Sequence, residues 1–406
     1  MPALLLMEVP PDANEKVVVV GVRKYGEDIL LREADSLPLG SLTKAMTATL
    51  TAKLIEDGVL SWDSTIQDVF HDSDFQIDPG YQSVTVEMLC AHRSGFTGDS
   101  FLGDAEFFAS LYAQNDPIKG RVTYLSRAFT LPPSHAAGTF AYSNINYIVL
   151  GHMIDRHAGA WEEVTQSRLW VPLGMTACGL GPAPESSLLA IENPWPHVVV
   201  NSISTPVRSD SDNPPFVNPA GRVHCAASSY AIFLRLHLLA LIDPTSEEAS
   251  NFLSEESWGR LHSPYLNNSE AETLYTPGGW LYSQSSSDGT TLSHTGTNTY
   301  NYAQAFIASR TEEAVLSFAN VGDPVGYVAT EDAVQQWLSS RASNGSSTSS
   351  APLASSTRSS TSISDQRGST ATPTSAQPSQ TASASREANV LGSSILLSLL
   401  SMINLM

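Results

Sequence analysis

Basic residues are scarce in this chain. Its 406 residues hold 21 Lys and Arg against 41 Asp and Glu, a net charge of −20. Lysine occurs only as Lys16, Lys24, Lys44, Lys53 and Lys119. An acidic surface without a basic stripe repels phosphate backbones, which argues against a nucleic-acid partner. Cysteine is nearly absent: Cys90, Cys178 and Cys225 are too few and too scattered to staple a chain of this length. They are expected as small buried apolar side chains. The ten histidines are scattered too, with no H-E-x-x-H and no paired C-x-x-C. No metal or organic cofactor is expected.

The ends of the chain read differently from its body. From about Ser339 to Asn389 the composition collapses to Ser, Thr, Ala, Pro and Gln. Such a stretch has too little apolar surface to offset its ordering entropy, and it reads as a disordered, O-glycosylated stalk. Residues 390–406, "VLGSSILLSLLSMINLM", follow as an apolar run. Small residues, a polar spacer and an apolar tail fit a GPI-attachment signal, hence a secreted or cell-surface protein. The start, "MPALLLMEVPPD", offers a short apolar patch and no basic region, which is poor as a signal peptide. The localisation therefore stays open between cell surface and cytoplasm. Sequons stand at Asn267 and Asn344.

Between the ends, "KVVVVGVRKYGEDILL" reads as strand, turn, strand, with Val17–Val20 as a buried strand. From Leu42 the period changes. Leu42, Met46, Leu50 and Leu54 recur every four residues and Gly58 closes the pattern, so a helix of about 15 residues is expected with Ser41 at its start. Helices are also expected over 144–159, 228–242 and 329–340. Strand character returns after Gly278 in "GWLYSQ", "TTLSHTG", "YAQAFIAS" and "EAVLSFANV". Strands at both ends with helices between suggest one sheet built from both termini. The expected fold is α+β, an antiparallel sheet flanked by helices: the sheet from about 15–58 and 270–338, a helical insertion over 59–269.

"GSLTK" carries the first chemistry. Ser41 and Lys44 share a helix face, so hydroxyl and amine can meet. A serine hydroxyl is a weak nucleophile without a partner to take its proton, and lysine serves only if its ammonium is disfavoured. An N-cap serine with an incidental lysine is an equally sound reading of these two residues alone. Tyr142 and Asn144 follow in "FAYSNINY", and His294, Thr295 and Gly296 in "LSHTGTN". The ordered set S-x-x-K, Y-x-N and basic–Thr–Gly is hard to obtain by chance.

With these motifs the sequence resembles the class C β-lactamase-like, penicillin-binding serine hydrolases, from about Val17 to Trp337. "LCAHRSGF" (89–96), "GTFAYSNINYIVLG" and "NPAGRVHCAASSYAIFL" are similar to further family segments, with Ser229 where an aspartate is usual. The resemblance implies that Ser41 forms an acyl-enzyme and that Lys44 and Tyr142 share the proton work. It implies that Asn144 and His294–Gly296 bind substrate, His294 by steering a carboxylate or tuning Tyr142. It also implies an oxyanion hole from the backbone N–H groups of Ser41 and Thr297. His92 and Ser94 read as a structural turn, and Trp280 as core or pocket wall. In three respects the chain departs from the family: the opening helix is missing, the glycines usual after Gly296 are replaced by "TNTYN", and histidine stands at 294 where lysine is commoner. The last argues against a dedicated β-lactamase. The expected activity is cleavage of a small ester, amide or short peptide, with acyl transfer to an alcohol or amine as the alternative. A catalytically silent surface scaffold is the other.

Overall fold

The computed structural model describes residues 2–96, 104–184, 190–265 and 274–345. The stalk beyond 345, the apolar end and Asn267 lie outside the described residues.

Six strands form one antiparallel sheet in the order β2-β1-β11-β10-β9-β8. They are β1 (Leu4–Val9), β2 (Lys16–Val20), β8 (Leu281–Ser285), β9 (Gly289–Thr297), β10 (Tyr302–Ala308) and β11 (Glu313–Ala319). The chain's two ends therefore pair directly, with Leu4 opposite Ala319 and Val9 opposite Ala314. The patch "LLLMEV" is an interior strand, buried on both faces. Alternation explains why: Leu5, Met7 and Val9 point into the main core while Leu4 and Leu6 point to the opposite face. The expected strand at "DILL" is reduced to an isolated bridge between Val22 and Leu30. Asp28, Ile29 and Leu30 are exposed, Leu30 by 66%, and of this segment only Leu31 is packed into the core.

Helices cover both faces. The last helix, Val325–Gly345, lays Val325, Ala329, Ala333, Val334 and Trp337 over Leu4, Leu6, Val18 and Val315. It runs past Ser339, where the stalk was expected to begin. On the other face lie α1 (Thr43–Glu56) and α3 (Ala227–Ile242), with α2 (Asn144–His157) packed beyond α1; the last helix is α4. α1 is buried nearly all round, from Thr43 to Ala52. A helix with no wet face can still be amphipathic in its own way: Thr47, Thr49 and Thr51 return their hydroxyls to carbonyls of Pro219, Ala45 and Thr47.

A small sheet ties the helical region to the start of α1. It contains β3 (Leu37–Pro38), β7 (Val223–Cys225) and β4 (Cys178–Leu180), in that order. A hairpin of β5 (His197–Val200) and β6 (Ile203–Pro206) lies apart. Cys178 and Cys225 face each other in the β4–β7 register and form a disulfide. This corrects the expectation of three unpaired cysteines; only Cys90 is free and buried. Among the described residues no helix is long and apolar enough to cross a membrane.

Candidate active site

Residues Gly40–Leu42 form a 3₁₀ turn that leads into α1. A capping serine was the alternative reading of Ser41, yet neither the turn nor α1 has a side-chain cap. The turn closes on its own backbone, Leu42 N–H to the Leu39 carbonyl at 3.2 Å. Ser41 Oγ is thereby left to meet Lys44 Nζ at 2.8 Å. Asn144 does not cap α2 either. Ser143 caps α2 by accepting from Ile145 N–H, and Asn144 points its Oδ1 at Lys44 Nζ, 2.8 Å away.

Lys44 is fully buried, and its third acceptor is the Ala220 carbonyl at 2.6 Å. A buried amine is tolerated only when its N–H groups are matched. Here the match has a direction. Asn144 Oδ1 and the Ala220 carbonyl can only accept, so they hold two N–H groups. Loss of one proton from Nζ then leaves its lone pair aimed at Ser41 Oγ. The same geometry suits an ammonium donating to the hydroxyl and an amine receiving its proton.

Tyr142 flanks this pair. Its ring centroid is 5.0 Å from Lys44 Nζ, and its hydroxyl hydrogen-bonds with Ser41. Tyr142 is 41% exposed, but its hydroxyl end is crowded by neighbours that push the phenol up against the pull of that bond, and it is an O–H donor at neutral pH. His92 supports the ring from beneath, 4.2 Å between centroids. Its Nδ1 accepts from Ser143 N–H at 3.2 Å and meets Asn146 Nδ2 at 3.0 Å, which puts its proton on Nε2. Burial, with Lys44 and His294 nearby, drives its pKa well below the usual value. The turn read as structural is thus a platform for Tyr142.

His294 stands 6.0 Å from the Tyr142 ring and is 4% exposed. Its Nδ1 donates to the Thr295 carbonyl at 2.5 Å, and its Nε2 accepts from Tyr275 O–H at 3.0 Å. Burial and the neighbouring Lys44 push its pKa down to about 3. It is a neutral, fully engaged imidazole. A carboxylate-steering cation is not what this position supplies; its bonds fix the Tyr275 wall beside Tyr142.

Gly296 and Gly40 bring two backbones together. A Cβ on Gly296 would lie 2.0 Å from the Leu39 carbonyl and 2.9 Å from the Ser41 nitrogen. A Cβ on Gly40, at φ +52°, would lie 2.4 Å from the Thr297 nitrogen. Glycine at both positions lets the end of β9 lie against the turn, with the Thr297 nitrogen beside Gly40, the residue before Ser41. Thr295 occupies the preceding strand position, opposite Gln304. Tyr275, the Ala220 carbonyl and the His92 stack were not singled out from the sequence. The segment "NPAG" was the available signal for Ala220; nothing in the sequence marks Tyr275. Among the described residues no three His, Cys, Asp or Glu side chains are grouped to hold a metal ion.

Residues 13–335 match the model of the Beta-lactamase family. The chain belongs to that family. It is 25% identical to penicillin-binding protein 4 of Amycolatopsis lactamdurans over 58% of this chain and 59% of that protein. It is 28% identical to an unguisins hydrolase of Aspergillus campestris over 34% of this chain and 26% of that protein. It is 29% identical to the lovastatin esterase of Penicillium rubens over 38% of this chain and 42% of that protein. The chain thus spans from about a quarter to three-fifths of the length of these curated relatives. Among solved structures, D-amino acid amidase from Ochrobactrum anthropi SV3 superposes with a TM-score of 0.65 at 18% identity, covering 85% of this chain and 94% of that one. The octameric penicillin-binding protein homologue from Pyrococcus abyssi gives 0.64 at 18%, covering 83% and 74%. These likenesses show the Beta-lactamase fold, and the family is one of serine hydrolases, with hydrolase, esterase and amidase relatives.

Proposed function

We propose that Ser41 is an acyl-accepting nucleophile and that the protein cleaves an ester or amide, as an esterase or D-peptidase-like enzyme rather than a dedicated β-lactamase. The observation that carries this is the Lys44 amine, buried and held by two fixed carbonyl acceptors so that its remaining position faces Ser41 Oγ. In the acylation step Oγ attacks the substrate carbonyl carbon and its proton passes to Lys44 Nζ. The oxyanion faces the Ser41 and Thr297 N–H groups, donors of a kind worth about 3 kcal/mol each in related chemistry. Tyr142 O–H gives a proton to the leaving group and recovers one from Lys44 through the site. Water then reverses these steps and frees the acid.

The neutral, buried His294 supports a substrate without a carboxylate beside the scissile bond. The disulfide supports folding in an oxidising compartment, in keeping with a cell-surface location. The decisive test is intact mass after incubation with a p-nitrophenyl ester, a D-amino acid amide and penicillin. An acyl adduct that disappears in Ser41→Ala is expected with the ester or amide. Folded protein that takes no adduct from any of the three would sink the reading; release onto an added alcohol faster than onto water would make it an acyltransferase.

A further inference from the structure

We infer that Asp212 is a positioning residue that keeps the Thr297 N–H and the Lys44 anchor in register across the cleft; this rests on the acyl-enzyme reading above. The need for such a residue arises in the 298–301 loop, which joins β9 to β10. Thr299 there adopts φ +82°, a left-handed conformation that a β-branched residue rarely takes. A loop without glycine at this point must be held by its neighbours. Asn298, 4% exposed, does so from within: its Oδ1 accepts from the N–H groups of Tyr300 and Asn301 at 3.4 and 3.1 Å. Thr297 Oγ1 accepts from Thr299 N–H at 3.0 Å.

What fixes Asn298 itself is Asp212. Its Oδ1 accepts from Asn298 Nδ2 at 3.0 Å. On its other side, Asp212 Oδ2 lies 3.5 Å from Arg222 Nε, and Arg222 Nη1 donates to Asn218 Oδ1 at 3.2 Å. The adjoining Asn213 donates through Nδ2 to the Gly221 carbonyl at 3.2 Å. Asn218–Gly221 is the short helix whose Ala220 carbonyl holds Lys44. Gly221 in turn rests on Gly40, since a Cβ there would lie 3.6 Å from the Gly40 carbonyl carbon. One buried carboxylate, 3% exposed, therefore ties the segment that anchors the amine to the loop that follows the second oxyanion donor. The two segments are distant in the chain, and the strap spans between them.

The test compares Asp212→Ala, Asn298→Ala and Asp212→Asn in the full chain. The asparagine keeps an oxygen that can accept from Asn298 but discards the charge facing Arg222. Two readouts are used: amide hydrogen exchange over 296–303, and the rate of Ser41 acylation by p-nitrophenyl acetate beside the apparent Kd of the ester. Both alanine variants should exchange faster over 296–303 and acylate on the order of tenfold to a hundredfold more slowly, with little change in Kd. Asp212→Asn, which keeps the Asn298 end and cuts the Arg222 end, should also acylate more slowly than wild type, by about threefold to tenfold. Unchanged exchange in both alanine variants overturns the strap. Faster exchange with wild-type acylation overturns its catalytic consequence. An asparagine variant with wild-type acylation shows that the Arg222 end carries nothing, and overturns a strap between the two segments. Wild-type protein that is never acylated at Ser41 overturns the acyl-enzyme reading instead, while the exchange data still decide the strap.

Discussion

Lys44 shows how a side chain's worth depends on what it touches. It is fully buried with three acceptors. Replacing it leaves carbonyls unpaired, at about 1–3 kcal/mol for each buried group. Lys44→Met keeps the stem and isolates the amine. Its acylation rate is expected to fall by about a thousandfold or more, with a melting temperature lowered but a cooperative transition retained. A methionine variant that melts early yet turns over normally would make Lys44 a packing residue. The side chains proposed to carry the chemistry were legible because serine, lysine, tyrosine and asparagine announce themselves at fixed spacing. The Ala220 carbonyl was not, because a backbone acceptor has no letter in the sequence. His92 was legible as a turn but not as the surface on which Tyr142 rests.

Among the elements, the meeting of the 3₁₀ turn with the end of β9 controls the site. Gly40→Ala asks a non-glycine residue to take φ +52° and drives a methyl into the Thr297 backbone. Acylation should fall by more than about a hundredfold as the two nitrogens part, measured as the p-nitrophenol burst; an undiminished burst would remove Thr297 from the oxyanion site. The β4–β7 disulfide acts at the same scale. It closes a separation of 47 residues, for which the loop-entropy relation gives about 4 kcal/mol. Cys178→Ser with Cys225→Ser should lower stability by roughly that amount in urea titrations, and equal midpoints for the two proteins would count against it. The four C-terminal strands and the long helices were readable from periodicity. β1 was not, since a strand buried on both faces shows no alternation and looks like any apolar patch. The cysteine pairing was invisible for a related reason: strand register, absent from spacing, decides it.

For the whole molecule, buried imidazoles set the response to acid. Burial first, with Lys44 or neighbouring groups, holds His92 and His237 well below the ordinary value, His197 at about 4, and His262 and His294 at about 3. An unfolded histidine titrates near about 6.5, so between that value and the folded ones the unfolded chain binds more protons. Their contribution is complete above about pH 6.5 and is lost as pH falls, by up to about 1.4 kcal/mol per pH unit for each. The melting temperature should drop between pH 7 and pH 5, with net proton uptake on unfolding; a flat or rising profile contradicts this. The fold class was legible from strands at both termini, and the pairing of those termini has a temporal consequence. Ala3 N–H donates to Asn320 Oδ1, 317 residues along the chain. During synthesis the ribosome releases Ser41 and Lys44 long before the strands that complete their surroundings. The nascent protein must wait with β1 unpaired until Glu313–Ala319 follows, so the candidate site is completed only after β8 to β11 have been made.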